Sequence, residues 1–79
     1  MPRFHLHIRQ GAQWLPDEDG IEARDVDAAV EEGIRGARSS IAWDVLAGEP
    51  IVMEGYIAVE DAAGKEVRRV LFSEAVTFR

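Results

Sequence analysis

Two histidines one residue apart, His5 and His7, are the side chains of this sequence best suited to chemistry. Alternate residues of a strand share a face, so the pair can present two imidazoles to a single metal ion. A catalytic metal needs at least a third ligand, which Glu54 or Asp17 would supply only if the fold brings one alongside. Both imidazoles could instead confer pH sensitivity near neutrality. Arg3 and Arg9 flank them with the same parity, making a cationic strip suited to a phosphate or carboxylate. Phe4 has the opposite parity, so the strip lacks the stacking ring on which single-stranded nucleic acid would rest. The plainer reading is a polar strand face paired with glutamates of neighbouring strands.

Other constellations are weaker. Asp17, Glu18, Asp19 and Gly20 resemble part of a calcium loop. An EF-hand would place a bidentate glutamate six residues after the glycine, and that position is Val26. The chain has no cysteine, which removes thiol catalysis, disulfides and thiolate zinc sites. Ser39 and Ser40 fall mid-helix, and Ser73 has no glycine-flanked elbow. Gly33 and Gly36 lie inside a helix rather than before one, so no phosphate loop is formed. A non-enzymatic protein without a cofactor is expected.

The elements that must position these residues follow from hydrophobic period. Residues 3–9 alternate strictly, with Phe4, Leu6 and Ile8 on the core face and the histidines and arginines opposite. Gly11 turns the chain into a second strand, Ala12–Leu15, and Ile21–Ala23 can pair briefly after the break at PDEDG. Asp25 caps a helix that starts at Val26. Val26, Val30, Ile34, Ala37, Ile41 and Val45 form its apolar stripe, and Gly48 and Pro50 end it, giving about 22 residues or roughly 33 Å. A strand over 51–60 places Ile51, Met53, Ile57 and Val59 on one face. DAAG at 61–64 closes a hairpin with Gly64 left-handed and Val59 opposite Val67. The last strand, 65–73, changes parity: Val67 and Leu71 share one face, Val70 and Phe72 the other. Either a bulge near Arg68–Arg69 switches it or both faces are partly covered.

The order is ββ(β)αββ, an α+β two-layer fold with a mostly antiparallel sheet and one long helix packed across one face. Its expected core is Phe4, Leu6, Ile8, Val30, Ile34, Ala37, Ile41, Ile57 and Val59. Seventy-nine residues form one domain, 1–79, with a small core. No apolar run approaches the roughly 18 residues a membrane span needs. A soluble cytoplasmic protein is expected, without nucleic-acid or membrane partners.

Charge is unevenly spread. Residues 16–32 hold eight acids and one base, a net −7, and the whole chain is −6, so the remainder carries +1. The acidic segment is either a solvated turn and helix start or a face for a small basic protein.

MPRFHLHIR, the following PDEDG, the helix start DVDAA and the later VEDAAGKEV…VLF together resemble a small bacterial family, the domain of unknown function 6894. The resemblance covers nearly the whole chain, and its motifs are specific in combination. It implies the layout above and assigns no activity or site residues. The Arg68–Arg69 pair departs from the apolar residues expected there. From Pro16 to Ile51 the chain also has a looser similarity to the N-terminal domains of HicB-type antitoxins, which bind a small toxin without catalysis of their own.

The helix is the most informative element. Taking Val30 as zero, Trp43 falls near about 220° and Leu46 near about 160°, both off the apolar stripe. Ala29, Gly33, Gly36, Ser40 and Ala47 make a second edge of small residues. Two mid-helix glycines cost about 1 kcal/mol each against alanine, and close backbone approach would compensate. A helix of this length must overhang an eight-residue strand of about 26 Å. Trp43 and Leu46 ride on that overhang, and either the tail Ala75–Arg79, Trp14 or another chain covers them. The expected role is a binding or regulatory module that self-associates as a homodimer through Trp43, Leu46, Gly36 and Ser40.

Overall fold

A computed structural model of the chain describes residues 1–77. β1 (Arg3–Gln10) is followed by β2 (Gln13–Leu15), β3 (Ile21–Glu22), α1 (Val26–Ala47), β4 (Gly55–Glu60), β5 (Glu66–Leu71) and the single turn α2 (Phe72–Ala75). The sheet runs β2-β1-β4-β5 with every pairing antiparallel, and β3 pairs with the beginning of β1. This is the expected α+β fold: five strands with one long helix across a face.

α1 has the expected bounds. The Asp25 carboxylate accepts the Ala28 N–H at 2.8 Å, and Gly48, left-handed at φ 71°, donates its N–H toward the last carbonyls. Its buried line differs from the expected stripe. Ala29, Gly33 and Ala37 face the sheet directly, with Val26, Val30 and Ile34 packed at the margins, while Val45 is exposed. Small side chains let the helix axis approach: a Cβ on Gly33 would sit 3.4 Å from Cγ2 of Ile57. Ala29 and Gly33, expected on a separate edge, are therefore the contact line itself.

The core is Phe4, Ala23, Ala29, Ala37, Ile57, Val59, Val70, Phe72 and Ala75. Leu6, Ile8, Val30 and Ile34 are only partly buried; on α1 the innermost positions are taken by Ala29, Gly33 and Ala37. Ile41 lies outside this cluster, half-buried beside Ala75 and Val76, since the sheet ends before the helix does.

Several strand limits are shifted, β1, β3 and the start of β5 by a single residue. β2 begins at Gln13 rather than Ala12. β4 begins at Gly55 rather than Ile51: Gly55 has φ 145°, and any Cβ there would lie 2.0 Å from the Arg9 carbonyl oxygen, so residues 51–54 approach as irregular chain. β5 ends at Leu71, where Phe72–Ala75 turn helical. The parity change in β5 is a bulge. Val59 opposes Arg68, Glu60 opposes Glu66, and Val67 is the extra residue. It stands at Val67, just before the arginine pair, and corrects the expected Val59–Val67 pairing. Beyond it Val70 and Phe72 turn inward, while Arg69 and Leu71 face away from α1.

Gly33 lies over Ile57, two residues from the start of β4, or about 7 Å of strand. Fourteen residues of α1 follow Gly33, about 21 Å. The last turns therefore overhang the sheet. α2 supports the near part, where the Arg38 guanidinium donates to the Ala75 carbonyl at 2.7 Å.

Candidate functional site

The face of β1 opposite α1 carries His5, His7 and Arg9, as its alternation requires. It is not a bare polar face. The PDEDG turn folds back over it, and Asp17 stands between β2 and β3 along β1. The Asp17 carboxylate accepts the Leu6 N–H at 3.0 Å and the Gly20 N–H at 3.0 Å. It thereby fills the ladder position that neither short strand reaches. The backbone of the same residue is held by both histidines. Nδ1 of His5 donates to the Asp17 carbonyl at 2.8 Å, and Nδ1 of His7 accepts the Asp17 N–H at 2.9 Å. Nε2 of His7 lies 3.2 Å from the Glu60 carboxylate on β4. The two rings stack with centroids 6.0 Å apart, and Trp14 packs against His7 at 5.5 Å.

The chemistry of the partners fixes the tautomers. A carbonyl only accepts, so His5 carries its proton on Nδ1; an amide N–H only donates, so His7 offers a bare Nδ1 and carries its proton on Nε2. Nε2 of His5 has no hydrogen bond among the described residues, and His5 lines a shallow cleft with Pro16, Asp17, Glu18, Glu60, Asp61 and Gly64. Both nitrogens of His7 are engaged inside the chain. Among the described residues no three His, Cys, Asp or Glu side chains form a metal-holding group. Glu54 belongs to the irregular approach to β4, and Asp17 turns its carboxylate to backbone amides instead.

Arg3 and Arg9 stand six residues apart, about 20 Å along the strand, too far to share one small anion. Arg3 donates to the Asp19 carbonyl and to Glu22. Arg9 lies over Trp14, 5.3 Å from the ring centroid.

Aromatic rings do join this face, contrary to the reading from β1 alone. They come from neighbouring strands: Trp14 and Tyr56 both pair with Arg9. The cross-strand register carries this signal, and parity within one strand does not. Arg69 covers Tyr56 at 3.8 Å, and Glu66 holds its guanidinium with two hydrogen bonds. The Glu66 hydrogen bond raises the Arg69 pKa above its ordinary value.

Much of the acidic segment is employed within the chain. Asp25 caps α1, Glu22 pairs with Arg3, Asp27 with Arg68 and Glu32 with Arg35. Glu18, Asp19 and Glu31 form no ion pair among the described residues.

The second candidate surface is the overhang of α1. Trp43 is 72% and Leu46 81% exposed, and with Ala47 they line a shallow hollow. Gly36 and Ser40 are exposed as well. Trp14, one expected cover for Trp43, is committed to Arg9 and His7. The tail packs instead near Arg38, Ile41 and Ala42, with Phe78 and Arg79 outside the described residues. Between Ser39 and Ala47 the helix carries one charge, Asp44, whereas its first half is densely charged.

The sequence profile of a domain of unknown function, DUF6894, matches residues 3–73. The chain belongs to this family. No curated protein and no solved structure matches it. The match spans β1, the Asp17 turn, α1 and the β4–β5 hairpin, so the histidine clasp and the overhanging helix both lie inside this DUF6894 domain. Among the described residues no helix is long and apolar enough to cross a membrane.

Proposed function

We propose that this DUF6894 protein is a small non-enzymatic binding or regulatory module of the bacterial cytoplasm that self-associates as a homodimer. The observation that carries this reading is the exposure of Trp43 and Leu46 on an almost uncharged helix end that projects past the sheet. Aromatic side chains of this kind anchor protein contacts when a partner desolvates them. A domain of 79 residues has a small core, and a second copy adds buried apolar area. Sedimentation equilibrium of the wild type and of the Trp43→Ala/Leu46→Ala variant tests it. A concentration-dependent dimer that the double variant loses is the expected result, and a wild type that stays monomeric at high micromolar concentration refutes it.

A second reading, an antitoxin-like partner of a small basic protein, has its own support in the carboxylates of Glu18 and Asp19 beside the Asp17 turn, which form no ion pair among the described residues. Steering by such a face is electrostatic, so binding of the basic partner would weaken steeply with salt. Purification from the native host without any basic companion counts against it.

A further inference from the structure

We infer, resting on that self-association, that two copies pack their α1 helices antiparallel, with Trp43 of each copy seated on Gly36 of the other. The two glycines within α1 differ in what they do. Gly33 is buried, and its bare backbone admits Ile57 of the sheet. Gly36 is exposed, and a Cβ built there meets nothing within 4 Å. Glycine weakens a helix interior, and no contact within the described chain makes use of this one. The exposed residues sharing its face are Glu32 one turn before it, and Ser39, Ser40, Trp43 and Ala47 beyond it.

This face therefore carries a bare backbone at one point and a large ring about 10 Å further along. Such a surface complements itself only when turned end for end, ring onto glycine and glycine under ring. A two-fold axis passing near Ser40 makes that contact twice, with Leu46 flanking each one. Electrostatics favour the same arrangement. It sends the two acidic 16–32 segments, each −7, to opposite ends of the pair and sets the helix dipoles against one another. A parallel pair would bring the acidic ends together.

The absence of native cysteine makes single-cysteine variants clean reporters of register. Ser40→Cys, beside its own mate, should oxidise to a linked dimer. Gly36→Cys should not, because its mate lies about 10 Å along the axis, beyond the roughly 7 Å Cα limit of a disulfide. Gly36→Leu should leave the monomer folded and weaken dimerisation by at least about 30-fold, a hot-spot loss. Cross-linking of Gly36→Cys as fast as Ser40→Cys, failure of Ser40→Cys to cross-link in a dimeric protein, or an undiminished Gly36→Leu dimer would each overturn the antiparallel seam. A monomeric wild type overturns self-association itself, so the two failures are distinguishable.

Discussion

His7 accepts the amide proton of Asp17 on Nδ1 across 2.9 Å, while His5, two residues earlier, donates to the carbonyl of that same residue across 2.8 Å. One aspartate is thus gripped at both ends of its backbone by rings in opposite tautomers. Nitrogen-15 spectra at neutral or higher pH should show His5 protonated on Nδ1 and His7 on Nε2. Identical tautomers for the two rings would refute the clasp.

The side chain of Asp17 should matter more than its place in a polar turn suggests. Asp17→Ala leaves the part-buried Leu6 N–H and the Gly20 N–H without their acceptor. Hydrogen bonds to a charged group contribute about 1.5–3 kcal/mol each, and these two are only part-buried, so a loss near the lower end of their sum, about 3 kcal/mol, is expected in urea unfolding. Glu18→Ala, with no side-chain hydrogen bond among the described residues, should stay within about 0.5 kcal/mol of the wild type.

Three glycines should respond to alanine in different ways. Gly36→Ala should stabilise the monomer by up to about 1 kcal/mol, since the helix gains propensity and the new methyl meets nothing. Gly55→Ala should destabilise severely, because its φ of 145° and the nearby Arg9 carbonyl both exclude a side chain. Gly33→Ala sets helix propensity against a 3.4 Å contact with Ile57 and should fall between them. Thermal melts at low protein concentration separate these effects from the proposed dimerisation.

Truncation of the core should rank by burial. Ile57 is 1% exposed, under α1, and Ile57→Ala should cost about 2–5 kcal/mol. Ile34→Ala, at a partly buried margin, should cost clearly less. Equal losses in denaturant titrations would mean that the helix packs on its Val30–Ile34 side, and not on the Ala29–Gly33–Ala37 line.

Local signals were legible in the residues, and tertiary ones were not. Asp25 and Gly48 bound α1 because capping is written in single side chains and backbone conformations. Phe4, Leu6 and Ile8 showed which side of β1 faces the helix. The true helix contact was hidden, because alanine and glycine carry little hydrophobic signal and become central only when a sheet lies close enough to need them. The strand limit at Gly55 depends on the Arg9 carbonyl, a neighbour 46 positions away in the chain. The histidine pair was visible as chemistry, but the partner that absorbs it is the backbone of Asp17, which no pattern of side chains reveals. Trp43 and Leu46 stood out because they break the helix's own period.

The Asp17 carboxylate at the Leu6 amide has a consequence for how this chain keeps company with itself in the cell. An unpaired strand edge is a template for further strands, and stacking of that kind has no natural end. Here β2, the aspartate and β3 together occupy the exposed side of β1, so a foreign strand finds no vacant run of amides there. The opposite border, β5, is short, bent by its bulge and studded with Arg68 and Arg69, features that discourage edge-to-edge growth. Fibril-like aggregation is thus guarded against on both sides of the sheet, and loss of Asp17 would reopen one of them.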